Sequence, residues 1–102
     1  MYFTAVLLLK ATRAGEDAPH LFEEIHVLVS ADSEDAARQL AGEIGRQERI
    51  AFQTVSGEEV RWDFDQIMAL VELGGALEHG VELFSRFLKP SEVASLMTKM
   101  DE

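Results

Sequence analysis

One run constrains this chain more than any other: in "MYFTAVLLLK", Tyr2 to Leu9 is almost wholly apolar. A strand sends successive side chains to opposite faces, so a run without polar alternation places apolar groups on both. Such a strand is stable only where both faces are covered, and Tyr2–Lys10 is therefore expected at the centre of a sheet. An export signal is the competing reading. The run lacks a preceding basic stretch, sits at the short end for such a signal, and is far too short to cross a bilayer, which takes about 20 residues.

The neighbours of this strand come from the next two segments. Ala11–His20 loses all periodicity around Gly15 and Pro19 and reads as a loop. Leu21–Ser30 alternates, with Ile25, Val27 and Val29 on one face and Glu24, His26 and Ser30 on the other, as a half-buried hairpin partner would. In "ADSEDAARQLAGEIG" the period changes. Ala37, Leu40, Ala41 and Ile44 fall on one helical stripe. Asp32 or Ser33 is the expected N-cap, Glu34 and Asp35 suit the positive end of the dipole, and Gly45 is the expected left-handed stop.

Arg49–Val55 and Glu59–Leu73 flank "SG" and are expected to pair antiparallel. Within the second arm Val60, Trp62 and Phe64 share one face, opposite Arg61, Asp63 and Asp65. Farther on, the apolar set moves to Ile67, Ala69, Val71 and Leu73, one step out of phase. A bulge near Asp65 and Gln66 reconciles the two halves. Trp62 and Phe64 then look inward, as core aromatics. "GGALEHG" reads as a turn, Val81–Leu88 as a fifth strand, and "PSEVASLMTKM" as a helix with Val93, Leu96, Met97 and Met100 on one stripe and Ser91 as its cap.

The expected fold is α+β, a mostly antiparallel five-stranded sheet with one main helix on one face and a C-terminal helix, in the order β-β-α-β-β-β-α. At 102 residues and 47% hydrophobic content, the chain reads as one domain, 1–102, with 1–88 as its core and 89–102 as a helical extension. A domain of this size buries roughly two thirds of the surface its unfolded chain exposes, which suffices for independent folding.

Composition narrows the partners. There is no cysteine, so disulfides, thiolate zinc sites and cysteine nucleophiles are absent, which fits a cytoplasmic setting. Nineteen acidic against nine basic residues give a formal charge of −10. A field of that sign opposes nucleic acid, whose binding depends on neutralised phosphates. It favours a basic protein partner.

The segments "GEEVRWDF" and "LFSRFL", the aromatic-led first strand and "SADSEDAARQLAGEIG" resemble a bacterial family of small acidic domains catalogued only as a domain of unknown function. The resemblance runs from about Tyr2 to Leu88. Gly57, Val60, Trp62, Phe64, Ser85, Arg86 and Phe87 are its most specific residues. It implies one compact α+β domain and carries no activity, cofactor or catalytic residue.

Candidate chemistry is sparse. Asp63 and Asp65 share a strand face and could present two carboxylates to one ligand, although acidic residues on a solvent-facing strand are ordinary. His20, His26 and His79 show no zinc-ligand spacing, and no metal or cofactor is expected. Ser85 lacks the GxSxG setting of a serine nucleophile, and Gly74–Gly75 lacks the lysine and helix of a phosphate loop. Arg86 falls among apolar residues in its segment, where an unpaired charge is costly. It is expected to pair with Asp63 or Asp65, with an anion site as the alternative.

These readings lead to a noncatalytic interaction domain with an acidic surface, for instance an inhibitor or immunity-type protein. One alternative is a small-molecule or enzymatic site around Arg86, Asp63, Asp65 and His26. A second is a structural homodimer that buries Leu8, Phe22 and Leu28 on the sheet or the methionines of the last helix.

Overall fold

The computed structural model describes residues 1–47, 51–53 and 57–100. Its elements are β1 (Tyr2–Arg13), β2 (Leu21–Ser30), α1 (Glu34–Gln47), β3 (Ala51–Gln53), β4 (Glu59–Glu72) and α2 (Pro90–Met100). The strands form one antiparallel sheet in the order β2-β1-β4-β3. Three long strands carry it, and the three-residue β3 lines the far side of β4. The α+β class holds, but the five-stranded sheet does not. Val81–Leu88, expected as the fifth strand, is irregular. Of the expected strand Arg49–Val55, residues 49, 50, 54 and 55 lie outside the described residues.

β1 occupies the centre because it alone needs cover on both faces. Toward α1, Phe3, Ala5 and Leu7 join Val29, Ala37 and Ala41 in the core, with Ile25, Ile44, Phe64, Ile67 and Leu70 packed around them. On the other face Thr4 and Val6 are also buried, at 4% and 1% exposure. Val6 stands opposite His26 of β2 and Ala69 of β4, and the Phe84 ring packs edge-on against His26 at 5.1 Å. The segment after β4 thus lies across the second face instead of extending the sheet. Within 81–88 only Val81 and Phe84 are half-buried, three residues apart, so the alternation of "VELFSRFL" is not the pattern of its cover, and its backbone takes no place in the ladder.

β4 accommodates its phase break with two bulges. The β1 register skips at Asp65, between Leu8 and Leu9, and again at Met68, between Val6 and Leu7. Val60, Trp62 and Phe64 therefore share the helix-side face with Ile67 and Leu70, while Ala69 and Val71 face the other way. The bulge at Asp65 is the one the pattern anticipates. The second escapes it because residues 67–71 are all apolar, so neither face is marked by polarity. Trp62 points to the helix side, as expected, but it is half-buried instead of mostly buried. It pairs with Ala11 near the end of β1, one strand step past Phe64, onto which the last turn of α1 closes.

The helix ends follow local chemistry. Ser33 is the N-cap of α1: its Oγ accepts from the Ala36 amide at 3.1 Å. α2 starts two residues earlier than Ser91 as its cap would place it. The carbonyl of Lys89 accepts from Glu92 and Val93, and the Lys89 amide donates to Glu92 Oε1 at 3.0 Å, a reciprocal cap with Pro90 in the first helical position. Gly45 does not end α1, which continues to Gln47, and its φ is not positive. Glycine is needed there for space. A Cβ at Gly45 would overlap the Phe64 ring, whereas one at Gly42 would meet only the flexible guanidinium end of Arg46, at 3.2 Å.

That contrast predicts opposite signs for one chemical change. Gly42→Ala should stabilise by up to about 1 kcal/mol through helix propensity. Gly45→Ala, despite the same propensity gain, should destabilise by about 1 to 3 kcal/mol through overpacking on Phe64. Urea denaturation of both variants checks this, and a Gly45→Ala protein as stable as Gly42→Ala would show that α1 does not close on β4 at that point.

Candidate functional site

The charged residues singled out by the sequence all lie on the sheet face away from α1. Lys10 of β1 stands opposite Phe22 of β2 and Asp63 of β4, and Leu8 stands opposite Glu24 and Gln66. Alternation brings these groups onto one surface, but local partners then divide them into two sets.

At the β4 side, Arg61 Nε donates to Asp63 Oδ2 at 2.7 Å. The bulge turns Asp65 toward Lys10 Nζ, 3.4 Å away, and Asp65 also accepts from Gln66 Nε2 at 3.0 Å. Asp63 and Asp65 are therefore engaged by cations within strand reach. At the β2 side, Glu24 holds two groups: His26 Nε2 at 2.9 Å and Arg86 Nη1 at 3.6 Å. Phe84 covers the other side of the His26 ring.

Arg86 thus finds a carboxylate, as the cost of an unpaired guanidinium requires, but it is Glu24 and neither Asp63 nor Asp65. The expected pairing required 81–88 to run beside β4. The segment instead crosses to β2, and Arg86 arrives there. Nor is Arg86 set among buried apolar groups, since its side chain is 42% exposed. Ser85 is exposed as well. Glu24 is the organising residue of this cluster, although the sequence pattern marks it only as one outward position of an alternating strand. The signal for it is its spacing of two from His26, which puts both side chains on one face.

Arg86 borders one concavity, an open one of about 230 Å³ that it lines with Leu88, Glu92, Ser95 and Leu96. An open cavity of about 420 Å³ is lined by residues 71–76 and 78–85, with His79 at its rim, and includes none of Arg86, Asp63, Asp65 or His26. Among the described residues no three histidine, aspartate or glutamate side chains gather as a metal-binding set. No described helix is long and apolar enough to cross a membrane.

What the surface does present is apolar. Phe22 and Leu28, on the same face of β2 as Glu24 and His26, are 50% and 51% exposed. β2 is an edge strand of the sheet.

In comparison with known proteins, a family described as Domain of unknown function (DUF4288) matches residues 2–85. The chain belongs to this family. No curated protein and no solved structure matches it. In this member of DUF4288, the matched span takes in β1 to β4 and the crossing segment as far as Ser85, and stops short of Arg86 and α2.

The Glu24 cluster is solvent-accessible, and its energetic weight should be correspondingly small. Arg86→Ala is expected to cost no more than about 1 kcal/mol, as for other exposed ion pairs. Phe84→Ala should cost more, because the ring lies over a face that includes Val6. Chemical denaturation of the two variants orders them, and an Arg86→Ala loss larger than that of Phe84→Ala would make the ion pair, instead of the apolar cover, what holds the segment down.

Proposed function

We propose that this DUF4288 domain is a noncatalytic interaction module that binds a basic protein partner through the outer face of β2, in the manner of an inhibitor or immunity-type protein. The observation that carries the reading is the exposure of Phe22 and Leu28 on an edge strand of a strongly acidic domain. Residues 1–85 contain sixteen acidic and six basic side chains. An acidic surface steers a basic partner and fixes its orientation, while exposed apolar side chains supply contact area.

The rival reading, a small-molecule or enzymatic site around Arg86, Asp63, Asp65 and His26, has less support. Asp63 and Asp65 are taken up by Arg61 and Lys10, and Arg86 and His26 by Glu24. Groups already paired with one another on an open face are poorly placed to act on a ligand, which binds best where a concavity excludes water.

The test is capture of partners on immobilised protein, comparing the native chain with Phe22→Asp and with Glu43→Gln on the exposed side of α1. A basic protein held by the native chain and by Glu43→Gln, and lost with Phe22→Asp, is the expected result. Partners held equally by all three would place the contact elsewhere and sink the β2 reading.

A further inference from the structure

β2 ends the sheet on one side, and only half of its main-chain hydrogen bonding is used. Leu73 donates to the Tyr2 carbonyl and Ala31 to that of Met1, so Tyr2 turns its main chain toward β4 and the residues beside it turn theirs toward β2. Alternation carries this along the antiparallel ladder. Phe3, Ala5, Leu7 and Leu9 meet Val29, Val27, Ile25 and Glu23 through the main chain, and the amides and carbonyls of Phe22, Glu24, His26 and Leu28 therefore point away from the sheet. Among the described residues no further strand takes them up.

Little in β2 closes this edge. Sheets blunt such edges with short strands, proline, lysine or bulges. β2 is 10 residues long, contains neither proline nor lysine, and keeps an unshifted register with β1. α1 packs over β4 and β1 more than over β2, and Leu21 and Glu23 on the helix side of the strand are exposed. Phe22 and Leu28 are exposed on the other side.

Charge says what the edge accepts. Glu23 and Glu24 are the only Asp, Glu, Lys or Arg side chains in the strand, and as neighbours they point to opposite faces. His26 and Arg86 share Glu24, while no ion pair among the described residues includes Glu23. A second copy laid along this edge would bring two more carboxylates to the same stretch, in a chain whose formal charge is −10. Like charges opposed across strands are destabilising, and a basic strand brings the opposite sign. Resting on the interaction reading above, and giving the partner its shape, we propose that the partner enters as an extended basic segment that adds a strand to the outer edge of β2. Two adjacent basic residues of that segment fall on opposite faces, as Glu23 and Glu24 do, and apolar residues on either side of them meet Phe22 and Leu28. Main-chain bonds to the edge supply affinity, and the side-chain pattern supplies the choice of partner. Phe22 to Leu28 is six strand steps, about 20 Å, so a short peptide spans the site.

The probe is a short labelled peptide, capped at both ends, with two adjacent lysines placed to meet Glu23 and Glu24 and with valine and threonine elsewhere. Fluorescence anisotropy at physiological salt, where long-range attraction is screened, should show it binding the native chain and Glu43→Gln, and not Glu23→Lys. Methylating the backbone nitrogens of one alternate set of peptide residues should abolish binding, and methylating the other set should spare it, since only one set faces β2. Proline is tolerated on an edge strand where the amide faces solvent. Leu28→Pro should therefore lose the peptide with unchanged circular dichroism. Equal binding of the two methylated peptides overturns the proposal, because charge alone would then hold them. So does a native chain that ignores the peptide, and if that chain still captures a basic protein through Phe22, the β2 face reading survives without the added strand. A doubled chain mass in light scattering that Leu28→Pro returns to one chain mass would make a second copy the occupant and overturn the basic segment.

Discussion

Everything in this domain depends on the need to bury β1 on both sides. Its two long neighbours complete the hydrogen bonding, and α1 covers one face with Ala37 and Ala41 over Phe3, Ala5 and Leu7. The other face has Val6 and Thr4 equally buried with no helix over them. A central strand covered by helix on one side alone would leave those groups in water, at about 25 cal/mol for each Å² of apolar surface. The chain answers with the irregular segment after β4, laid across β2 by Phe84 and Arg86. That choice then leaves α2 without a surface of its own to pack on.

How much of this the sequence announces depends on whether polarity marks the faces. β1, β2 and α1 are legible because unbroken apolarity, alternation and the 3.6-residue stripe each demand one environment. β4 is legible as far as Asp65, where alternating charge reveals both the face of Trp62 and the bulge. Past Ile67 both faces are apolar and the second bulge at Met68 leaves no trace in the pattern. The failure at Val81–Leu88 has a different cause. Alternation in so short a segment does not by itself demand a strand: here only Val81 and Phe84 are half-buried, and Phe84 alone holds the segment to His26 on the sheet face. Gly80, with φ at +87°, breaks the chain into that path.

The candidate site was legible in its chemistry and not in its pairing. Arg86 does need a carboxylate and has one. The choice of Asp63 or Asp65 rested on placing 81–88 beside β4, so the error in topology became an error in partner. The nearer cations were in plain view: Arg61 lies two residues from Asp63 on an alternating strand, and Lys10 faces Asp63 across the β1–β4 ladder. A short in-register pairing loses less side-chain entropy than one that must first order a distant segment, so it takes the carboxylate first. Arg86 meets Glu24, which it shares with His26 two residues along β2.

The chain divides physically near Arg86, with residues 86–100 set apart from the rest. Among the described residues, those up to Ser85 contain every strand, the main helix and the cover of the second face, and the DUF4288 match ends there too. Because α2 packs against none of the described strands and not against α1, changes in it alter the surface more than the fold. The body's acidic excess repels a second body, but exposed charges are screened within about 8 Å at physiological salt. Charge on the body therefore works against indiscriminate association, most strongly at low salt.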